Sequence, residues 1–322
     1  MLKNKEGKSM DISLIIPCYN EEGNVDKFFA QAESVFANKG ISYEYIFVND
    51  GSTDLTKKRL ADIYTMNYNK NITVVNFSRN FGKEAAIMAG LKNAVGNHIC
   101  LIDADLQQHP SVALDMYNYL QQNDEYDCVC AYQETRSEGK GISALKSIYY
   151  PVINKIAETE FRNGASDFRM FKAKVKDAVL SLGEYHRFSK GLFSWVGFNV
   201  AYMPYTAEKR NDGKSKWNIF ALVKYALNGL LSFSTAPLHL STVVGSCATI
   251  FAIIYAIVTI FRKLFSDISV DGFTQIVILI TFFSGLLLFS VGIIGEYIAK
   301  IYQQVKNRPV YIEDEVLKRN NM

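Results

Sequence analysis

The chain has 322 residues and a formal net charge of +3 without any block of Lys or Arg, which argues against a nucleic-acid-binding protein. Hydrophobic residues make up 49%, unevenly spread: the first two-thirds is mixed and charged, and the last third holds two long apolar runs. The five cysteines, Cys18, Cys100, Cys128, Cys130 and Cys247, are odd in number and lack metal-ligand spacing, so they read as reduced cytosolic or membrane thiols.

Residues 1–10 are polar and carry no apolar signal-peptide region, so the part that follows is expected to stay in the cytoplasm. "DISLIIP" (11–17) is a short apolar run ending at a proline and reads as a buried strand. "YNEEGNVDKFFAQAESVF" follows with apolar residues at helical spacing and Asn24 as the expected N-cap. "YEYIFVND" is a second strand that stops at Gly51-Ser52, and a polar helix is predicted from near Asp54. Strand "ITVVNFS", helix "KEAAIMAGLKNA", strand "HICLIDAD", helix "SVALDMYNYLQQ" and strand "YDCVCAYQ" continue the alternation. From about 140 to 235 the order is less clear. "ALKSIYYPVINKIA" and "AKVKDAVLSL" look helical, "FNVAYMPY" looks like a strand, and "KWNIFALVKYALNGLLSF" reads as an amphipathic interfacial helix, or else a core helix.

Two runs close the chain, Leu238 to Phe261 and Phe273 to Gly295, and neither contains Asp, Glu, Lys or Arg. Each exceeds the roughly 20 residues that cross a bilayer core; a pair of buried core helices is the alternative. The segment 262–272 joins them into a hairpin. Lys209, Arg210, Lys214, Lys216 and Lys224 precede it and Lys300, Lys306 and Arg308 follow, while Arg262 and Lys263 face Asp267 and Asp271 in the loop. The positive-inside rule puts both flanks in the cytoplasm.

Alternating strands and helices with short loops predict an α/β domain with a mostly parallel sheet, whose ligands bind beyond the carboxyl ends of the strands. Three polar clusters stand at such ends: Tyr19-Asn20-Glu21, Asn49-Asp50-Gly51-Ser52 and Asp103-Ala104-Asp105. Asp103 and Asp105 crowd two carboxylates at the end of an apolar run, a cost that a cation removes. Gln107 adds a neutral oxygen, and the set suits Mg²⁺ or Mn²⁺ sharing its remaining positions with water and a diphosphate. The chain has neither a Walker-type nor a GxGxxG loop. Arg136, Lys146, Arg187, Lys190, Arg210 and Lys216 are candidate phosphate-holding cations, and Arg210 and Lys216 flank Gly213 in a polar loop suited to closing over a donor.

Taken in order, "SLIIPCYNEEGNV", "FVNDGSTD", "SRNFGKEAAIMAGL", "LIDADLQ", "SDFRMF", "RFSKGLFSWVGF" and "GKSKW" resemble a family 2 glycosyltransferase of the GT-A, Rossmann-like fold. The likeness runs over about residues 11 to 310 and is greatest to the polyprenyl-phosphate glycosyltransferases: the bactoprenol glucosyltransferase group and, more distantly, dolichol-phosphate mannose synthases. It implies a metal-dependent inverting transfer of a hexose from a nucleotide sugar to undecaprenyl phosphate at the cytoplasmic face of the cell membrane, for cell-envelope glycosylation. UDP-glucose is the favoured donor, with UDP-GlcNAc, UDP-galactose and GDP-mannose left open.

The resemblance further implies site roles. Pro17, Tyr19 and Glu21 line the nucleotide pocket and Asp50 hydrogen-bonds the base; Asn49 stands where the family often has a second carboxylate. Arg79, Gly82 and Lys83 lie near the donor, and Asp103, Ala104, Asp105 and Gln107 form the metal centre and its surroundings. The family's frequent "DLQDPP" is "DLQQHP" here, and His109 reads as a helix-entry residue. Asp167 matches the position proposed as catalytic base, although an anionic acceptor needs no deprotonation, so an orienting role is open to it. Arg210 and Lys216 join it in the chemistry, and Arg136, Lys146, Arg187 and Lys190 hold the acceptor phosphate. Expected partners are the donor, the lipid acceptor and the membrane, with a flippase, a downstream transferase and a second copy of the chain as further candidates.

The expected organisation is a polar tail (1–10), a cytosolic catalytic domain (11–213), an amphipathic interfacial region (214–236), a first membrane helix (237–261), an extracytoplasmic loop (262–272), a second membrane helix (273–299) and a cytosolic tail (300–322). Two other readings are a processive polysaccharide synthase, whose usual "QxxRW" motif and additional spans are missing, and a non-catalytic scaffold, against which the intact motifs argue.

Overall fold

The computed structural model describes residues 10–133, 165–206, 234–265 and 272–319. Arg136, Lys146, Arg210 and Lys216, most of the expected interfacial helix, and the helix expected at 144–157 lie outside the described residues.

The alternating pattern forms as predicted: β1 (Ile12–Cys18), α1 (Val25–Phe36), β2 (Tyr43–Asn49), α2 (Thr56–Met66), β3 (Ile72–Phe77), α3 (Lys83–Asn93), β4 (His98–Leu101), α4 (Pro110–Gln122) and β5 (Cys128–Gln133). β6 (Ala165–Lys172), α5 (Ala173–Ser181), α6 (Ser189–Trp195) and β7 (Val200–Tyr205) follow, then α7 (Ala236–Phe265), α8 (Phe273–Val305) and β8 (Glu313–Lys318). The eight strands form one sheet in the order β7-β5-β6-β4-β1-β2-β3-β8. β4, β1, β2 and β3 are parallel; β6 runs antiparallel between β4 and β5, and β8 runs antiparallel to β3. Chain order reverses at β1, which has β2 on one side and β4 on the other, and at such a switch point adjacent loops diverge and leave a crevice.

Successive residues of β2 serve opposite layers. Tyr45 and Phe47 pack with Phe28, Phe36 and Leu60, while Ile46 and Val48 pack with Val75, Leu91 and Val175. Both faces are covered, which is why these strands read as continuous apolar runs rather than alternating ones. Asn24 stands at the N-cap of α1 and its carbonyl accepts the Phe28 N–H at 2.8 Å, but its side chain makes no cap bond and instead donates to Glu21 Oε2 at 2.7 Å. His109 is the N-cap of α4, accepting from the Ser111 N–H.

α7 and α8 contain spans, Ala236–Phe261 and Ile276–Val305, long and apolar enough to cross a membrane. The alternative of buried core helices fails, because Ile254, Phe282 and Leu288 are 56%, 64% and 71% exposed. α8 also extends beyond the expected 299, to Val305. Its last turn meets the α/β domain: Gln304 accepts from the Tyr185 N–H at 2.8 Å and donates to the Gly183 carbonyl at 2.9 Å. Within the expected 300–322 tail, residues 313–318 return to pair with β3 and become the edge of the sheet.

Candidate active site

Asp103 and Asp167 come from strands that run antiparallel. β4 and β6 pair Leu101 with Arg169, and continuing that register two residues brings Asp103 opposite Asp167. Lys83, the first residue of α3, reaches between them: its Nζ lies 2.7 Å from Asp103 Oδ1 and 3.3 Å from Asp167 Oδ2. Burial alone would raise the Asp167 carboxyl, but Lys83, then Lys190 and Arg169, outweigh it and hold it at about 2. Burial likewise opposes the Lys83 charge, and Asp103 and Asp167 raise it above the ordinary lysine value.

The second carboxylate is aimed by a strained turn. Leu106 has φ +63°, the left-handed region a large side chain rarely adopts, and is held there by burial in the core. Around it Asp105 Oδ1 accepts from the Gln107 N–H at 3.1 Å. Gln108, which the sequence does not single out, grips Asp103 twice: its Oε1 accepts the Asp103 N–H at 2.9 Å and its Nε2 donates to Asp103 Oδ2 at 3.2 Å. Gln107 thus meets the pair through its backbone. Among the described residues no three His, Cys, Asp or Glu side chains converge as a metal cage. Two carboxylates and amide oxygens still fit a hard cation that shares its shell with phosphate, since Mg²⁺ commonly takes only one or two protein carboxylates.

The loops after β1, β2 and β3 are laced together. Asn20, at φ +56°, donates its N–H to Ser52 Oγ at 3.0 Å and accepts the Thr53 N–H at 2.9 Å. The Glu21 N–H donates to Thr56 Oγ1 at 2.8 Å. Tyr19 stands at the rim, 38% exposed, and Pro17 is half-buried in β1. Gly51 has φ +62°, and a Cβ there would lie 2.2 Å from the Arg79 carbonyl carbon, so only glycine lets the two loops touch. Asp50, expected to bond a base, is buried, and its oxygens accept the N–H groups of Phe81 and Gly82 at 2.7 and 2.9 Å. It therefore ties the β2 end to the loop that delivers Lys83. Burial raises its carboxyl, and those N–H groups partly offset the rise. Arg79 lies over the Phe81 ring at 4.1 Å and donates to the Asn80 carbonyl at 3.0 Å. Ala104 is buried between the two aspartates.

Arg187, expected at the acceptor phosphate, also braces a helix end. Its guanidinium donates to the carbonyls of Leu182 and Val179 at 2.9 and 3.0 Å, closing the C-terminal end of α5 with two of its five N–H groups. Lys190, in contrast, lies close enough to depress Asp167. The sequence reading also missed Glu84, which accepts the Ser189 N–H at 2.9 Å and its hydroxyl at 2.5 Å, joining α3 to α6. Its position directly after Lys83 at a helix start was the available signal. Arg169 was missed too: it is buried, stacks 4.5 Å from the Phe193 ring, and its Nε has no hydrogen-bond partner among the described residues.

The profile described as "Glycosyl transferase family 2" matches residues 13–180, which include every residue of this cluster up to Asp167. The glycosyltransferase sll0501 of Synechocystis sp. is 37% identical over 309 residues, covering 96% of each chain. The bactoprenol glucosyl transferase of Shigella phage SfII is 34% identical over 94% of this chain and 97% of its own. The Escherichia coli prophage bactoprenol glucosyl transferase homolog is 32% identical over 96% of this chain and all of its own. With its motifs in order, its sheet-edge carboxylates in place and relatives aligned over nearly the whole length, the chain belongs to glycosyl transferase family 2.

Proposed function

We propose that this glycosyltransferase moves glucose from UDP-glucose to a polyprenyl phosphate at the cytoplasmic face of a membrane. The observation that carries the reading is Lys83 clamped between Asp103 and Asp167 beside Asp105, in a chain that also has two membrane-length helices. Full-length relatives named bactoprenol glucosyl transferase support the donor sugar and the lipid.

In this reading Asp105, Asp103 and Gln107 hold a divalent cation, Mg²⁺ or Mn²⁺. When bound, it neutralises charge on the leaving nucleoside diphosphate. Lys83 adds a fixed positive charge at the same place, held by two carboxylates so that it needs no reorganisation during reaction. The loops around Tyr19, Glu21, Asp50 and Arg79 hold the nucleotide. An acceptor phosphate oxygen attacks the anomeric carbon, the bond to the diphosphate breaks, and one displacement inverts the centre. That oxygen carries its own charge, so Asp167 positions Lys83 and the acceptor rather than removing a proton. Lys190, Arg136, Lys146, Arg210 and Lys216 are proposed to receive the two phosphate-bearing substrates. Two spans with both flanks cytoplasmic place the acceptor headgroup beside the site, and segment 262–272 on the far side.

Membranes containing the protein, incubated with radiolabelled UDP-glucose, UDP-GlcNAc, UDP-galactose and GDP-mannose and extracted for lipid, test the proposal. Label in the lipid from UDP-glucose alone is expected. Label from another donor overturns the sugar, and no lipid label from any donor overturns the reaction.

A further inference from the structure

The strand that follows the membrane helices begins at the nucleotide side of the site. Seven residues separate β8 from the end of α8, and the strand sets Glu315 opposite Asn76 of β3. The strand is well fixed: Tyr311 stacks on Phe77 with centroids 4.7 Å apart, Lys57 pairs with Asp314 at 2.8 Å, and Arg319 donates to the carbonyls of Tyr64 and Asn67 at the C-terminal end of α2. From Glu315 a line of hydrogen bonds runs inward. Asn76 Nδ2 donates to Glu315 Oε2 at 3.3 Å, Asn49 Nδ2 donates to Asn76 Oδ1 at 2.9 Å, and the Ser52 N–H donates to Asn49 Oδ1 at 3.1 Å. Ser52 Oγ in turn accepts the Asn20 N–H.

The direction of this line is not arbitrary. A carboxylate only accepts, so Asn76 must turn its NH₂ to Glu315 and keep its oxygen for Asn49. Asn49 must then donate to Asn76 and keep its own oxygen for Ser52. The Ser52 N–H, which can only donate, sets the same direction from the other end; a donor at 315 in place of the carboxylate would favour the reverse, turning Asn49 NH₂ against the Ser52 N–H, donor against donor. Asn49 and Asn76 are 2% and 1% exposed, so no bulk water relieves a reversed link. We propose that Glu315 is a positioning residue for the nucleotide. Through Asn76 and Asn49 it fixes the Asp50–Ser52 turn and the Asn20 loop, making donor binding depend on the segment behind the membrane hairpin. The inference rests on the nucleotide occupying the β1 and β2 loop ends, as proposed above.

The test uses full-length enzyme in detergent, with nucleotide-sugar KM, lipid-acceptor KM, UDP binding and thermal midpoint measured for E315Q, E315K, N76D and N76D/E315Q. Glutamine at 315 still accepts, lysine cannot, and the double variant exchanges amide and carboxylate so that Asn49 keeps its direction. E315K and N76D are expected to raise the nucleotide-sugar KM about tenfold, the loss of one buried link, with acceptor KM within about twofold. E315Q and N76D/E315Q should stay within about threefold of native, a rescue that a purely structural role would not give. An unaltered nucleotide KM in E315K, with UDP binding lost in D105N, overturns the relay and leaves the site reading intact. A defect in N76D that E315Q does not repair, beside a normal E315K, is a packing fault and also overturns it. UDP binding that survives D105N and the relay variants alike overturns the site reading and the relay together.

Discussion

Asp167→Asn separates a base from a positioning anion. Lys83 lies 3.3 Å from Asp167, and with Lys190 and Arg169 it outweighs burial to hold the carboxyl at about 2. A phosphate monoester loses its second proton near pH ~6. Moving that proton to Asp167 is uphill by about four pK units, or about 5 kcal/mol at 1.36 kcal/mol per unit. A carboxylate so far below its substrate gives almost no general-base help, which is greatest when the two values lie near the working pH. The substitution keeps the shape, removes the charge and leaves Lys83 with Asp103 as its anionic partner. The expected loss in kcat/KM is about 10- to 100-fold, the worth of one hydrogen bond to a charged group, about 1.5–3 kcal/mol. It should be the same at pH 6 and pH 8. The assay is the variant-to-native ratio of kcat/KM for the lipid phosphate across that range at saturating metal. A ratio that climbs tenfold or more with pH would refute the reasoning, because alkali would then be replacing a proton acceptor. The same ion pair has a stability signature. Since folding lowers the Asp167 pKa, its contribution is complete above pH ~4 and is lost as pH falls toward 2. With Asp167 26% and Lys83 43% exposed, solvent limits it to about 1 kcal/mol, measurable as an acid-unfolding difference from Asp167→Asn.

Asp105→Asn removes a charged metal ligand without changing shape, and turnover should fall by about two orders of magnitude or more; near-native activity after chelation and Mg²⁺ restoration would remove the metal from the site. Gly51→Ala forces a Cβ against the Arg79 and Asn80 backbone at 2.2 and 2.4 Å in a left-handed conformation, so stability should drop by more than about 2 kcal/mol, read from the thermal midpoint. Ser266→Cys, in a background lacking the five native cysteines, should react with an impermeant thiol reagent on intact cells; labelling only after lysis would overturn the hairpin. Glu84→Ala frees the N-terminus of α6 from α3 and should lower both the thermal midpoint and kcat, whereas Glu84→Gln, which keeps an acceptor for Ser189, should recover most of each.

Local chemistry was enough to determine much of this protein. The βα alternation, the buried strands and the two charge-free runs within α7 and α8 follow from short-range pattern, which one-dimensional order carries in full. The polar clusters at Tyr19, Asp50 and Asp103 were also legible, because parallel strands must deliver their carboxyl ends to one edge. Who touches whom across the sheet was not. Lys83 reads as a donor-side cation, but only the β4–β6 register puts Asp103 and Asp167 on either side of it. Arg187 reads as a phosphate ligand, and its bonds to the Leu182 and Val179 carbonyls appear only in the fold. Asp50 has the position of a base contact and is gripped by backbone N–H groups. The segment "EDEVLK" falls in the expected cytosolic tail, since a charged edge strand has little apolar alternation to betray it. Its partner β3 lies about 240 residues earlier, with Val75 opposite Val316 and Asn76 opposite Glu315. Strand pairing is decided by side chains met across space, so a sequence discloses the strands and their ends, while the tertiary structure alone assigns their neighbours.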